Sequence, residues 1–151
     1  MPYIDLTYPE GALTPEARAA LGEALTTTLL HAERAPDTEF FRNATWIAVH
    51  ELPAAHVLAA GRPAPGPTFR VEVTTPQGAL SDRRRAELVA EATRLVCEAS
   101  GIPQEESALR VWVLCREIAE GSWGAGGHVI SFAALKAATR AQREEAAAAA
   151  G

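Results

Sequence analysis

Pro2 has the most distinctive chemistry in this chain, because its ring nitrogen becomes a secondary amine once the preceding methionine is removed. Methionine followed by a residue as small as proline is normally trimmed during synthesis, so we expect the mature chain to begin at Pro2. An α-amino group titrates at about 8, and an apolar, partly desolvated pocket lowers that pKa by disfavouring the charged form. A neutral ring nitrogen can take a proton from a hydroxyl or a carbon and return it elsewhere. Pro2 is therefore a candidate general base and acid.

The other reactive side chains form no second catalytic motif. The four histidines, at positions 31, 50, 56 and 128, lack metal-ligand spacing, and neither a metal nor another cofactor is expected. The glycine-rich run at 124–127 precedes a short strand pattern rather than a helix, which excludes a phosphate-binding loop. Ser122 lacks a nucleophile-elbow setting, and Cys97 and Cys115 have no basic motif beside them to activate a thiolate. Both cysteines are expected to be reduced core residues.

The composition of the chain excludes several classes of binding partner. A chain of 151 residues with 48% hydrophobic residues forms one domain, or two small halves that share a core. Fourteen Lys and Arg against 19 Asp and Glu leave a net charge of −5, which provides no attraction for nucleic acid or an anionic membrane. No apolar run approaches the roughly 20 residues of a membrane-spanning helix, and the first residues do not resemble a signal peptide. The expected location is the cytoplasm.

The chain contains an internal repeat. The segment Pro-Glu-Gly-Ala-Leu-Thr at 9–14 recurs as Pro-Gln-Gly-Ala-Leu-Ser at 76–81. Upstream, Ile4 and Leu6 match two valines of the second half, and with a shift of one residue Trp46 matches Trp112. This order of matching positions indicates two copies of one unit, at about 2–61 and 68–133.

Each copy reads as strand, helix, strand. Alternating apolar residues predict opening strands at 2–8 and 69–75, and closing strands at 44–51 and 109–117. Thr14 with Pro15, and Ser81 with an aspartate after it, are helix N-terminal signals. Apolar residues then recur three and four apart, at 17–29 and at 88–99, so each helix has one face to bury.

Two such βαβ units predict an α/β (α+β) fold with a four-stranded sheet and both helices on one face. The second face, which carries Trp46 and Trp112, would remain uncovered, so oligomerisation is expected. Residues 52–67 read as a proline-rich linker between the halves. The whole chain, 1–151, is expected to form a single domain with a helix-prone C-terminal tail at 136–151 that frays.

A tandem βαβ chain that opens with Met-Pro resembles the tautomerase superfamily, over roughly residues 2–133. The stretch Glu-Ile-Ala-Glu-Gly-Ser-Trp-Gly-Ala-Gly-Gly at 117–127 is similar to the strand end and hairpin of 4-oxalocrotonate tautomerase. In the first copy, Glu-Leu-Pro-Ala-Ala-His-Val-Leu-Ala-Ala-Gly at 51–61 is similar to the matching stretch of cis-3-chloroacrylic acid dehalogenase. The resemblance implies a trimeric fold in which the amino-terminal proline is the catalyst.

The sequence departs from the family at the positions of its arginines. The resemblance places a carboxylate-binding arginine at Ala12 and Ala79, a second at Trp46 and Trp112, and the dehalogenase pair at Pro76 and Ala79. The water-activating glutamate of the dehalogenase falls on an alanine, at 125, and its helix histidine falls on a leucine, at 29. A carboxylate substrate therefore requires replacement cations.

Three arginines in the second copy are candidates for that role. Arg70 follows the residue that matches Pro2, and Arg110 and Arg116 lie on or next to the last strand. Trp123 occupies the position of the family's pocket aromatic, although a tryptophan beside glycines is also a common interface anchor. The run Arg83-Arg84-Arg85 at the start of the second helix reads as a solvated face, or as a contact with an acidic patch of a neighbouring subunit.

These observations predict a cytoplasmic homotrimeric isomerase that moves a proton between the keto and enol forms of a small 2-oxo acid. Pro2 would be the general acid and base, and Arg70, Arg110, Arg116 and Trp123 would bind the substrate. Two alternatives remain open: a non-catalytic binding protein with the tautomerase fold, and a proline-dependent decarboxylase or dehalogenase-hydratase of a three-carbon acid.

Overall fold

Two βαβ units follow one another in the computed structural model, which describes residues 2–149. The first unit consists of β1 (Tyr3–Pro9), α1 (Pro15–Glu33), the short α2 (Glu39–Asn43) and β2 (Trp46–Leu52). A 3₁₀ turn (Ala54–His56) and a small hairpin of β3 (Leu58–Ala59) and β4 (Arg62–Pro63) follow it. The predicted linker therefore contains regular structure of its own.

The second unit has the same order of elements. It consists of β5 (Phe69–Pro76), α3 (Asp82–Ser100), a 3₁₀ turn (Gln104–Glu106), α4 (Ser107–Arg110) and β6 (Val111–Ile118). A second small hairpin, β7 (Gly124–Ala125) and β8 (His128–Val129), leads into the last helix, α5 (Phe132–Ala149).

The main sheet has the strand order β2-β1-β5-β6. β1 is parallel to β2, and β5 is parallel to β6, as a helical crossover requires. The two units join where β1 runs antiparallel to β5, with Ile4 opposite Val73 and Leu6 opposite Val71. The predicted fold class, a four-stranded sheet built from two βαβ units, is confirmed.

Both long helices begin at the predicted caps and bury the predicted stripes. The Oγ1 atom of Thr14 accepts a hydrogen bond from the Ala17 amide at 3.1 Å, and Ser81 Oγ accepts one from the Arg84 amide at 3.4 Å. The helices pack on each other and on one face of the sheet. The core residues they enclose are Ile4, Leu6, Leu21, Leu25, Leu29, Val71, Val73, Leu88, Ala92 and Val96. Burial of each larger aliphatic side chain stabilises the fold by about 1.5–3 kcal/mol.

The opposite sheet face has no helix over it among residues 2–149. Trp46 is 70% exposed and Trp112 is 61% exposed at the two outer strands. Asp5 and Glu72 lie opposite each other on β1 and β5, where like charges destabilise a sheet. Each has a nitrogen partner on its parallel strand: His50 Nε2 lies 2.6 Å from Asp5 Oδ1, and an Arg116 nitrogen lies 2.8 Å from Glu72 Oε1. The repeat therefore extends to the polar contacts of the open face.

The helix-prone tail predicted at 136–151 lies in α5 as far as Ala149, and residues 150–151 are outside the described residues. Whether it frays stays a prediction. One face of this helix lies over the first βαβ unit, where Thr38 Oγ1 donates to Gln142 Oε1 at 3.3 Å. None of the helices described between residues 2 and 149 has the combination of length and hydropathy that a bilayer crossing requires.

Candidate active site

Pro2 lies immediately before β1 and is buried. Its carbonyl oxygen accepts a hydrogen bond from the Trp46 amide at 3.4 Å, which ties the start of the chain to the start of β2. Pro2 lines a cavity of about 430 Å³. The residue that the sequence singles out for proton transfer is therefore placed in a pocket large enough for a small acid.

Four parts of the fold form the walls of this cavity. The turn after β5 contributes Pro76, Gly78 and Ala79; the end of α1 contributes Glu33, Arg34 and Ala35; and Phe41 and Arg84 come from α2 and α3. α5 closes the remaining side with Phe132, Leu135, Lys136, Thr139, Arg140 and Arg143. Pro76 and Ala79 are positions at which the family resemblance places arginines. The cavity therefore lies where those arginines would be, and its basic residues come instead from the end of α1, from α3 and from α5.

The wall carries five basic residues and one acidic residue. The basic residues are Arg34, Arg84, Lys136, Arg140 and Arg143. Only Arg140 is paired with an acid among the described residues, at 2.8 Å from Glu144. Such an excess of positive charge without acidic partners favours an anion, and a guanidinium can hold a carboxylate through two parallel hydrogen bonds.

Three of the other basic residues, Arg84, Lys136 and Arg143, are held by neutral groups. Arg84 donates to the Ala32 carbonyl oxygen at 2.7 Å and to Ser81 Oγ at 3.2 Å, which joins the start of α3 to the end of α1. The Lys136 ammonium lies 4.5 Å from the centre of the Phe132 ring. Arg143 donates to the backbone carbonyl of Arg34. These contacts position the cations without neutralising them.

Glu33 is the single acid of the cavity and is half-buried at the last position of α1. Burial raises the pKa of its carboxyl to about 7, although the positive charges of the amino terminus and of the Arg84 guanidinium oppose the rise. The negative end of the α1 dipole also disfavours a carboxylate there. Near neutral pH this group can therefore exist in either protonation state.

Arg70 and Arg110 lie together in a different cavity of about 580 Å³, which Trp112 also lines. Arg70 donates to Thr7 Oγ1 at 3.3 Å, and Arg110 is 2.6 Å from Glu106 and donates to the Pro67 carbonyl at 3.1 Å. Neither lines the Pro2 cavity of its own chain, as far as residues 2–149 show.

Arg116 and Trp123 are also apart from Pro2 within one chain. Arg116 pairs with Glu72 on the open sheet face. Trp123 lines a shallow cavity of about 280 Å³ beside Tyr3 and Ile118. The four predicted binding residues thus fall into three places, and the cavity wall at Pro2 is made by side chains that the sequence did not single out for binding.

One sequence signal could have located part of that wall. The run Arg83-Arg84-Arg85 predicts a solvated face or a contact with a neighbouring subunit, yet Arg84 contacts the end of α1 and lines the cavity. Arg83 remains 73% exposed and pairs with Glu87 one turn away. No sequence signal pointed to the basic residues of α5, because a tail that is predicted to fray is not expected to form a cavity wall.

Glu51 and Glu117, which repeat at equivalent positions, connect strand ends to helix starts. Glu51 accepts from Tyr8 at 2.8 Å and from Arg18 at 2.5 Å. Glu117 lies 3.5 Å from Arg85 and accepts from the Gly78 amide at 3.2 Å. The shared arrangement supports a structural role for both.

The cysteines and the metal-ligating residues form no competing site. Burial raises the pKa of both thiols, at Cys97 and Cys115, and neither is in a disulfide. No group of three His, Cys, Asp or Glu side chains between residues 2 and 149 is placed to hold a metal ion.

Comparisons with known proteins agree with this architecture. A family model described as tautomerase enzyme matches residues 70–133. The crystal structure of Pt0534 inactivated by 2-oxo-3-pentynoate is similar with a TM-score of 0.71 and 26% identity, over 88% of this chain and 98% of that chain. No curated protein sequence gives a significant match.

Two further solved structures share the fold. A wild-type symmetric trimer of a fused 4-OT has a TM-score of 0.70 and 22% identity, over 88% of this chain and 98% of that chain. A member of the cis-3-chloroacrylic acid dehalogenase family has a TM-score of 0.69 and 23% identity, over 85% of this chain and 82% of that chain. The second unit of the chain thus matches the tautomerase family, and the fold of the fused structures extends along nearly all of its length.

Proposed function

We propose that the protein catalyses keto–enol proton transfer on a small 2-oxo acid, with the ring nitrogen of Pro2 as general base and acid. The observation that carries this proposal is the burial of Pro2 in a cavity whose wall holds five basic residues and one acid. Burial favours the neutral amine, and the basic wall favours a carboxylate next to it. A base and an anion-binding surface in one pocket are the two components that the reaction requires.

The proton balance of the reaction is simple. The ring nitrogen of Pro2 takes the proton of the enol hydroxyl, the carbonyl forms, and the electron pair of the former double bond is left on carbon. The protonated nitrogen then delivers the same proton to that carbon. Basic groups of the cavity wall hold the carboxylate and stabilise the negative charge that develops on the enolate oxygen. No other reactant is consumed.

The choice of a 2-oxo acid is supported by a relative. Pt0534 is inactivated by 2-oxo-3-pentynoate, which is itself a 2-oxo acid. The volume of the Pro2 cavity, about 430 Å³, is in the range of small-molecule sites.

A homotrimer is proposed as the working assembly. The open sheet face leaves Trp46 and Trp112 largely exposed, which is unfavourable for a lone subunit. A fused 4-OT with this fold is a symmetric trimer. Each chain has one Pro2, so a trimer would contain three sites. In such an assembly Arg70, Arg110, Arg116 and Trp123 remain proposed binding residues, presented to the pocket of a neighbouring subunit. A cytoplasmic location also remains a proposal.

The test is the rate at which native protein and the Pro2→Ala variant ketonise phenylenolpyruvate and 2-hydroxymuconate. We expect loss of at least a hundredfold in the variant, because general acid–base catalysis contributes about that much. Pro65→Ala, which changes an exposed proline of the inter-unit segment, is the matched control and should keep the native rate. A mass measurement should show the mature chain without Met1.

Equal rates for native protein and Pro2→Ala would remove the catalytic proposal. The alternative of a non-catalytic binding protein would then stand, favoured by the alanines at 12 and 79. Product analysis with malonate semialdehyde and 3-haloacrylates separates tautomerisation from decarboxylation and from dehalogenation.

A further inference from the structure

Arg34 ends α1 in a backbone conformation that arginine seldom adopts. Its φ is 57° and its ψ is 30°, in the left-handed region. Among residues 2–149, Ala60 is the one other non-glycine residue with a positive φ. A side chain in this region brings Cβ close to the following carbonyl oxygen, and the strain persists only where the surroundings require it.

The second unit provides an internal comparison for this turn. Gly101 lies 67 positions after Arg34, the same offset that relates Pro9 to Pro76. Gly101 ends α3 with φ 72° and ψ 12°, so the same left-handed turn is made there by glycine, which carries no penalty. A Cβ at Gly101 would meet no atom within 4 Å, so crowding is not what keeps a side chain out of that turn. The first unit therefore tolerates a strain that the second avoids.

The turn itself makes no use of the arginine side chain. The Arg34 amide donates to the His31 carbonyl at 3.0 Å, and the Ala35 amide donates to the Leu30 carbonyl at 2.9 Å. Both bonds are backbone bonds that glycine would form equally well. The Arg34 guanidinium makes no ion pair with an acid in the part of the chain that the structure describes.

The surroundings of Arg34 point to an anion. Arg34 is exposed and lines both the Pro2 cavity and a neighbouring cavity of about 420 Å³ that includes Glu87 and Glu91. On the Pro2 side the other basic residues, Arg84, Lys136, Arg140 and Arg143, come from α3 and α5. Like charges on one wall repel one another, and a bound anion would relieve that repulsion. The single acid, Glu33, is held at a raised pKa and offsets little of this charge.

We propose that Arg34 is a specificity-determining residue that binds a carboxylate group of the substrate in the Pro2 cavity. This inference rests on the proposed function for its substrate. The strained turn at the end of α1 places Arg34 at the cavity, whereas the equivalent turn of the second unit, which has no such task, is made by Gly101.

The decisive variant is Arg34→Gly, which should have a higher thermal stability and a lower affinity for the substrate than the native protein. Release of the strain should raise Tm by a few degrees, about 2–4 °C for a chain of this length. Loss of a charge-assisted hydrogen bond should raise KM for phenylenolpyruvate by about 10–100-fold, with a smaller change in kcat. Arg34→Lys keeps the charge and should restore part of the affinity without the gain in Tm. A purely structural role predicts the opposite sign for Tm.

The matched control is Gly101→Arg in the second unit. It introduces the same residue into the same turn away from Pro2, and should lower Tm by a few degrees and leave KM unchanged. A fall in Tm for Arg34→Gly, or an unchanged KM, would overturn the proposal.

A binding experiment keeps the inference separate from the proposed function. Calorimetric titration with phenylpyruvate compares the Pro2→Ala protein with the Pro2→Ala, Arg34→Gly protein, neither of which needs to turn over. Weaker binding in the double variant supports the role of Arg34 even if native protein shows no tautomerisation. Equal affinities refute it even if native protein is an active tautomerase.

Discussion

Replacing Glu33 with glutamine should stabilise the protein at alkaline pH and change it little at acid pH. The carboxyl of Glu33 has a pKa of about 7 in the folded chain, against 4.5 when unperturbed, because burial disfavours its charged form. Between these two values the folded state binds more protons than the unfolded state. Stability therefore falls as pH rises through this window, and the loss is complete above the folded pKa.

The magnitude follows from the two pKa values. Ionisation of Glu33 in the folded chain costs about 3 kcal/mol of unfolding free energy at pH 8.5, and less than about 1 kcal/mol at pH 5. Glutamine keeps the size of the side chain and cannot ionise. The free energy of unfolding should therefore be higher in the variant than in the native protein, and this difference should be about 2–3 kcal/mol larger at pH 8.5 than at pH 5.

Urea unfolding of both proteins at pH 5 and pH 8.5, at one protein concentration, measures this difference. The charged groups that face Glu33 are the amino terminus, Arg84 on α3, and Lys136, Arg140 and Arg143 on α5, and they are the same in both proteins. Glu105→Gln, at an exposed position, is the control and should show no pH-dependent gain. If Glu33→Gln gives the same difference at both pH values, or destabilises the protein at pH 8.5, burial does not control this carboxyl.

Other consequences of the structure can be tested in the same way. Arg84→Gln should weaken phenylpyruvate binding about tenfold, because Arg84 lines the Pro2 cavity, whereas Arg83→Gln should not, because Arg83 is solvated. Calorimetric titration measures the affinity of each variant. Equal losses in Arg84→Gln and Arg83→Gln would mean that Arg84 acts only through the overall positive charge of the protein and not by contact with the ligand. Removal of residues 132–151 takes away the α5 wall and should raise KM for phenylenolpyruvate at least tenfold, while the helix content of the remainder, measured by circular dichroism, is retained. Trp112→Glu places a charge on the open sheet face and should shift the protein to smaller species in sedimentation; an unchanged mass would exclude that face as the subunit contact.

The repeat and the fold class were accessible from the sequence because they depend on local rules. The alternation of Ile4 and Leu6 with polar residues selects one face of β1 for the core, and it does so without knowledge of the partner strands. Thr14 and Ser81 satisfy the first free amides of their helices through contacts three residues away. All the residues that produce such a signal lie within a few positions of one another in the sequence.

Binding residues were not accessible in this way. Arg70 and Arg116 were chosen for their places on strands, and the structure puts them on the open sheet face, where they contact Thr7 and Glu72. Which of these side chains reach a Pro2 pocket depends on how subunits meet, and a residue pattern within one chain does not contain that geometry.

The sequence by itself determined the two βαβ units, their caps and the position of Pro2 at the head of the first strand. Only the tertiary structure decided that α5 lies over Pro2, that Arg84 differs from its two basic neighbours, and that the end of α1 presents Glu33 and Arg34 to the same cavity. The physical reason is distance along the chain. Hydrophobic period and capping act over three or four residues, whereas a cavity wall joins side chains more than a hundred positions apart through the packing of whole elements.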